Sequence, residues 1–184
     1  ESLGRTFFLI KSGAVKVTRM NEDGREVILA MLGEGDFFGE MALLDGEGRS
    51  ANVVTIEEAI LLSLQRGDFL YILESYPKIA IKLLEELTSR IRYSDQQIES
   101  LSLSDAGQRI CNTIIRLAED LGQIKGGTVH IDNLPYHQDI ANMAGTSRET
   151  VSRVLKTLEE KKYLKRRGRK TVIRNFNKFC QLFS

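Results

Sequence analysis

The sequence predicts an α+β chain: a β module, one long helix, and a small helical module carrying a β hairpin. Three observations predict it. Short β-branched and aliphatic runs separated by glycines fill the chain up to Leu64. Apolar positions then recur with helical spacing between Pro77 and Leu101. Finally, the charge reverses along the chain: residues 1–103 hold 11 Lys/Arg against 17 Asp/Glu, and residues 104–184 hold 15 against 8. The net charge of +1 therefore hides halves of −6 and +7, as expected of an acidic module joined to a basic one that meets a polyanion.

The bounds are those of a globular protein. At 184 residues, with 42% hydrophobic and 28% charged side chains, the chain has room for one large domain or two small ones. No apolar run approaches the roughly 20 residues of a membrane-spanning helix, and Glu1–Ile10 lacks the pattern of a secretory signal. Cys111 and Cys180 lie far apart in apolar patterns, which suits reduced thiols, with no disulfide and no metal site expected. A cytoplasmic protein without a membrane partner is the expectation.

Phe7–Ile10, Ala14–Thr18, Glu26–Met31, Ala51–Thr55 and Ala59–Ser63 read as strands, with Gly13, Gly24, Gly33, Gly35, Gly46 and Gly48 at the turns. Regular short strands of this kind mean a sandwich or barrel. Asn21-Glu22-Asp23-Gly24 carries the Asp-Gly signature of a hairpin. After Pro77, the positions Ala80, Leu84, Leu87, Ile91, Ser94, Ile98 and Leu101 advance in steps of 4, 3, 4, 3, 4 and 3. That heptad pattern predicts a helix presenting a stripe to a second helix, with Ser94 as its one polar seam residue; the alternative is a helix packed on its own domain. Ser102-Leu103-Ser104-Asp105 supplies a hinge and a new N-cap. There follow a helix over about 105–121, a Gly126-Gly127 turn, a strand Thr128–Asp132, helices over about 136–144 and 147–161, and two strands around Arg167-Gly168. The domains expected are 1–76, 77–103 and 104–184.

Between Gln138 and Leu155, Ala141, Gly145 and Val151 stand where a helix-turn-helix needs a small crossing residue, a turn glycine and an apolar contact. At about 100° per residue, Arg148, Glu149, Ser152 and Arg153 cover an arc of about 140° opposite Val151, Val154, Leu155 and Leu158. An Arg fork matches guanine O6 and N7, and a carboxylate accepts from cytosine N4, so Arg148, Glu149 and Arg153 are the expected base contacts. Gln138, Thr146, Ser147, Thr150 and Ser152 join them at the expected interface. Glu149 has two alternatives: pairing with Arg153, or closing a capping box with Thr146. Lys161, Lys162, Lys165, Arg166, Arg167, Arg169, Lys170 and Arg174 follow without an intervening acid. Such a run is usually a solvated face, but here it flanks Gly168 at a hairpin tip behind the reading helix. Arg167 and Arg169 are thus expected to touch the phosphate backbone.

Taken together, these residues resemble the cyclic-AMP receptor protein and FNR family of bacterial transcription regulators over nearly the whole chain. Gly39-Glu40-Met41-Ala42-Leu43-Leu44 with Arg49-Ser50-Ala51 is similar to that family's phosphate-binding cassette, and Ser147-Arg148-Glu149-Thr150-Val151-Ser152-Arg153 to its recognition helix. The resemblance implies a β-roll (double-stranded β-helix) sensor, a homodimer formed through Pro77–Leu101, a winged helix-turn-helix on a palindromic duplex, and RNA polymerase as a further partner. It implies cyclic AMP as effector. Arg49 and Ser50, with the free amides of a short helix at Met41 and Ala42, would hold the cyclic phosphate. Glu40 would accept from the ribose 2′-hydroxyl and Gly39 would let the backbone approach; the alternative is a surface Glu40–Arg49 ion pair. By analogy Leu29 and Ala30 line the base pocket, closed by Ser94 and Asp95. Relatives that bind cyclic AMP commonly carry two hydroxyl residues there, and Asp95 departs from that pattern; a carboxylate accepts from adenine N6 but repels guanine O6. Arg90, one turn earlier, is a further expected ligand contact, with pairing to Asp95 as the alternative. The chain opens at what looks like the family's third or fourth strand, so the preceding helix and strands of a roll are expected outside it.

Two rivals are weighed. One is a relative that senses haem-bound gas, an iron–sulfur cluster, another ligand or nothing at all through the same roll; residues 1–103 hold no His and no Cys, so haem or cluster chemistry would need the segment expected before them. A cupin-type metalloenzyme would need clustered His and Glu. No Ser-His-Asp set, Walker loop or paired catalytic carboxylates stand out, so no enzyme activity is expected.

Overall fold

The computed structural model describes residues 4–183 and divides into two compact units, Glu1–Gln97 and Ile98–Ser184. The first unit is a β-roll. Its strands β1 (Thr6–Ser12), β2 (Val15–Met20), β3 (Glu26–Leu32), β4 (Phe37–Phe38), β5 (Asn52–Thr55) and β6 (Ile60–Gln65) form two antiparallel sheets, ordered β4-β1-β6 and β3-β2-β5. Asn21–Gly24 makes the turn between β2 and β3, with Gly24 at φ +77° and its amide donating to the Asn21 carbonyl at 3.0 Å. Alternation along β1 and β2 sends Ile10 and Val15 into a core with Leu32. A second core joins the short helix α1 (Met41–Leu44) to α2 (Arg66–Ser75) and to the start of α3 (Pro77–Leu103) through Leu43, Phe69 and Leu83. Phe7 stacks between Phe37 and Phe69 at centroid separations of 5.4 and 5.0 Å, tying that core to β1.

The long helix starts at Pro77 as expected, but its apolar stripe is divided. Leu83, which lies off the 4-3 pattern, is the buried residue, and Leu87 turns into the same core. Leu84, Ile91 and Ile98, one heptad apart, remain 62–63% exposed. Thus one face of α3 packs on its own unit while an adjacent apolar face lies open.

In the second unit α4 (Ala106–Leu121) is the central element, capped by Asp105, whose carboxylate accepts from the Gln108 amide at 2.9 Å. Ile110, Ile114, Leu117 and Ala118 are fully buried along it. Helices α5 (His137–Ala144) and α6 (Arg148–Glu160) pack on α4, and the four-stranded sheet β7-β8-β10-β9 closes the module. Its strands are β7 (Gln123–Lys125), β8 (Thr128–Ile131), β9 (Leu164–Arg167) and β10 (Lys170–Ile173), followed by α7 (Phe176–Phe183). Gly168, at φ +62°, makes the β9–β10 tip. Cys111 and Cys180 are in no disulfide among the described residues, and burial pushes the Cys111 thiol up to about 11. No helix among the described residues is long and apolar enough to cross a membrane.

Four elements were not expected from the sequence: β4, α2, β7 and α7. Strands β4 and β7 have two and three residues, too short for an alternation to show. In α2 only Phe69 is buried, so no helical stripe marks it. Helix α7 packs aromatics instead, with Phe179 and Phe183 around Tyr163 at 6.3 and 5.4 Å.

The turn between α5 and α6 depends on Gly145, which is left-handed at φ +59° and would place a Cβ 3.0 Å from Leu101 Cδ2. Gly145→Ala is expected to destabilise the chain by about 1–2 kcal/mol, read as a lower midpoint in urea unfolding followed by circular dichroism.

Candidate effector site and nucleic-acid interface

In the first unit the candidate site is the loop between β4 and β5. Gly39, at φ +85°, lets the chain turn directly before α1; a Cβ there would fall 2.6 Å from the Arg49 guanidinium and 2.8 Å from the Thr6 carbonyl. Arg49 lies across this turn, donating to the Thr6 carbonyl at 2.9 Å and the Gly39 carbonyl at 3.3 Å. The first-turn amides of Met41 and Ala42 have no intrahelical acceptor. Ser50 is exposed, with its hydroxyl 3.7 Å from Met41 Sδ. Arg49, Gly39, Met41, Ala42 and Ser50 are thereby brought to one place. Leu29 is exposed and Ala30 packs partly on the Ile10–Val15–Leu32 core.

Glu40 is neither exposed nor paired with Arg49. Its carboxylate is buried and receives Arg90 at 3.2 Å. Arg90 also donates to the Phe37 carbonyl at 2.8 Å and to Glu86 at 3.2 Å, and its guanidinium lies 4.4 Å from the Phe37 ring centroid. The pairing of Arg90 with Asp95 read from helical spacing is therefore replaced: Arg90 turns toward the cassette because a buried carboxylate demands a partner more than an exposed one does. Asp95 is exposed, and Ser94, also exposed, donates to the Arg90 carbonyl at 3.0 Å.

In the second unit the helix-turn-helix is built as its residues suggested. Ala141 and Val151 are fully buried at the α5–α6 crossing. Arg109, which the sequence reading passed over, fixes the turn by donating to the carbonyls of Ala144 at 2.8 Å, Gly145 at 3.2 Å and Ser104 at 2.8 Å. Along α6, Arg148, Glu149 and Arg153 are exposed while Val151, Leu155 and Leu158 are buried. The N-cap is Ser147, accepting from the Thr150 amide at 3.2 Å, so Thr146 forms no capping box with Glu149. Nor do Glu149 and Arg153 form an ion pair among the described residues. The Glu149 carboxyl is instead held below its ordinary range by its own amide and the Ser147 hydroxyl. Gln138 is exposed on α5, donating to Asn142 at 2.8 Å.

The basic run divides. Arg167 is exposed beside Gly168, but Arg169 donates to the Leu134 carbonyl at 3.0 Å and lies 4.8 Å over the Tyr136 ring. Arg166 pairs with Glu159 at 2.7 Å and meets His137 at 2.8 Å. His137 in turn lies 2.8 Å from the Ser152 hydroxyl. Sequence reads His130 and His137 as surface or packing residues, with His137 near phosphate, and does not single out Glu159; the tertiary fold brings both His137 and Glu159 to Arg166 of β9.

Comparison with known proteins agrees with this architecture. A family model of the cyclic nucleotide-binding domain matches residues 1–76, and one of the Crp-like helix-turn-helix domain matches residues 108–182. The Cyclic AMP receptor protein of Thermus thermophilus is 40% identical over 158 residues, covering 86% of this chain and 70% of the relative. The chain belongs to the cyclic-AMP receptor protein and FNR family of bacterial transcription regulators. Another family member, the Global nitrogen regulator of a Nostoc species, is 35% identical over 162 residues, covering 87% of this chain and 72% of its own. Among solved structures, FixK2 from Bradyrhizobium japonicum superposes with a TM-score of 0.86 at 24% identity, covering 100% of this chain and 90% of that one. Family membership makes this chain a transcription regulator with a cyclic nucleotide-binding domain and a Crp-like helix-turn-helix domain.

Within this family architecture the Glu40–Arg90 pair links the cassette to α3. Arg90→Ala leaves the Glu40 carboxylate buried without its partner, and is expected to cost about 2–3 kcal/mol. Adding Glu40→Gln should return part of that loss. A double-mutant cycle in urea checks it, and additive losses would count against the pair.

Proposed function

We propose that this protein is a homodimeric, sequence-specific DNA-binding regulator gated by cyclic AMP in the β-roll. The observation that carries the effector reading is the convergence of Arg49, Gly39, the first-turn amides of Met41 and Ala42, and the Ser50 hydroxyl on one turn. That is a donor set suited to a cyclic phosphodiester. Arg49 already lies on two backbone carbonyls, so a phosphate there would compete for its fork. Asp95, as an acceptor, favours adenine over guanine, with Ser94 and the apolar Leu29 and Ala30 as the remaining base-side contacts. Glu40 would offer the ribose only the acceptor capacity that Arg90 leaves free. The exposed Leu84, Ile91 and Ile98, with Leu101 and the polar Ser94, supply the seam for a second copy. RNA polymerase is the further partner that this reading implies.

The proposed gate is a population shift. A nucleotide that contacts the cassette and α3 better in one arrangement of the paired helices favours the state in which two copies of α6 lie one DNA turn apart. A relative named for nitrogen regulation shows why the effector needs its own test. Calorimetric titration of the chain should show cyclic AMP binding, weaker or no cyclic GMP binding, and no heat from buffer. Arg49→Leu is expected to abolish nucleotide-dependent binding of a palindromic duplex while the chain still melts cooperatively. Arg49→Lys, which keeps the charge but loses the fork, should weaken the response. A full response in Arg49→Leu would overturn the cyclic-phosphate reading.

For the interface we take Arg148, Glu149 and Arg153 as the base readers, with Gln138, Thr146, Ser147, Thr150, Ser152, Arg167 and Arg169 around them. Glu149→Gln is expected to relax base preference at one position of each half-site while the salt dependence of binding stays nearly unchanged. Selection from a randomised duplex pool reads the first, and a salt titration the second. An unaltered preference would leave Glu149 with its local role at the helix start alone.

A further inference from the structure

His137, the first residue of α5, joins three elements. Its Nδ1 lies 2.8 Å from the Ser152 hydroxyl of α6, and its Nε2 lies 2.8 Å from an Arg166 guanidinium nitrogen of β9. Arg166 also donates to Glu159 of α6, through its guanidinium at 2.7 Å and its backbone amide at 3.1 Å. The direction of these bonds follows from chemistry. A guanidinium only donates, so Nε2 must accept and the ring proton must sit on Nδ1, where it donates to Ser152 Oγ. The Ser152 hydroxyl, having accepted, retains its own proton to donate outward on the face of α6 that also carries Arg148 and Arg153.

We propose that His137 is a positioning residue for DNA recognition: its neutral ring ties the recognition helix to the wing, and operator affinity falls when acid protonates it. This rests on the DNA-binding reading of α6 and the wing. A proton added at Nε2 would set a donor against a donor and a cation against the Arg166 cation, so the bond across the two elements is lost. The groups facing the ring are Arg166 from β9, and Ser152, Arg148 and Glu159 from α6; Tyr136 and Arg169 border the same cleft of about 460 Å³. Burial first, then Arg166 and Arg148, hold the imidazole below its ordinary value of 6.5, with only Glu159 opposing. The Glu159 carboxyl is itself held low by Arg166 and stays ionised, so it is not the group that titrates in this range. The sign follows: a histidine whose folded pKa is lowered keeps its contribution above 6.5 and loses it as pH falls through the lowered value. A histidine that itself touched a DNA phosphate would do the opposite, because protonation would strengthen that contact.

The opposite signs make the test direct. Duplexes retained by the wild-type chain from a randomised pool, at about pH 7.5 with cyclic AMP present, serve as probes in fluorescence anisotropy at constant ionic strength. Wild-type affinity is expected to fall about threefold to tenfold between about pH 7.5 and 5.5. His137→Gln retains an acceptor for Arg166 without a titrating ring, and should flatten that profile while binding better than His137→Ala at neutral pH. His130→Gln, on the exposed face of β8, should keep the wild-type profile. Nitrogen-15 spectra of the unsubstituted chain give a readout that needs no variant: His137 should carry its proton on Nδ1 and titrate below the ordinary histidine value of 6.5. Tighter binding on acidification, an unchanged slope in His137→Gln, or a ring protonated on Nε2 at neutral pH would each overturn the proposal. If the wild-type chain retains no duplex at all, the DNA-binding reading falls and takes this one with it, whereas duplex binding with a wrong slope refutes only the role of His137.

Discussion

A buried carboxylate cannot be left alone, and the arrangement of the first unit follows from that constraint at Glu40. The side chain lies at the start of α1, directly after a glycine whose left-handed backbone turns the chain inward. Once there, it must be met by a cation, and Arg90 reaches it from α3 while also satisfying the Phe37 carbonyl. The pair is seated beside the Leu43–Phe69–Leu83 core, which joins the same two helices through apolar contact. Polar and apolar links therefore act in parallel, so α1 cannot shift without disturbing α3. Under the proposed gating, this coupling is what a ligand at Arg49 and Ser50 would work through.

Much of this was legible in residue patterns, and the failures have physical causes. Strand spacing and the Asp-Gly turn revealed the roll because a half-buried strand must alternate. The 3.5-residue repeat revealed α3, although the stripe is shared: Leu87 faces inward and Leu84 outward, and burial of Leu83 could not be read from spacing alone. Gly145, Ala141 and Val151 revealed the helix-turn-helix because each sits under a steric demand that few residues meet. What local spacing could not show was which partner a long polar side chain would choose. Helical proximity favoured Asp95 for Arg90, Thr146 or Arg153 for Glu149; tertiary burial gave Arg90 to Glu40, and the helix start kept Glu149 to itself. The same holds for His137, which lies 15 residues from Ser152 and 29 from Arg166, and for Glu159, whose partner Arg166 stands on a different element.

The second unit shows how a basic surface is shaped as well as charged. A run of cations rich enough to suggest uniform phosphate contact is divided by the fold into two classes. Arg166 is committed to Glu159 and His137, and Arg169 to the Leu134 carbonyl and the Tyr136 ring. Arg167, Lys165 and Lys162 remain exposed. The committed pair joins the wing to the helices and sets where the exposed group stands. Counting charges would thus overstate how many phosphates the wing can neutralise, because a guanidinium already paired with a carboxylate, as Arg166 is with Glu159, releases few counterions on binding.

Both units use the same device for different ends. In each, a cation near the proposed ligand-facing surface is spent within the protein, Arg90 on Glu40 and Arg166 on Glu159, while under the proposed reading a neighbouring cation meets the ligand, Arg49 in the roll and Arg148 on α6. The internal pair supplies rigidity, since breaking it exposes a charge that has lost its water; the neighbouring cation supplies affinity. The roles separate because burial differs: the Glu40 carboxylate is enclosed, so its pair holds firmly, whereas Glu159 is part-exposed and needs the added bond from His137 to fix Arg166. That supplementary bond needs a neutral imidazole to accept from Arg166, so under the proposal above the wing contact is the more responsive of the two to acid.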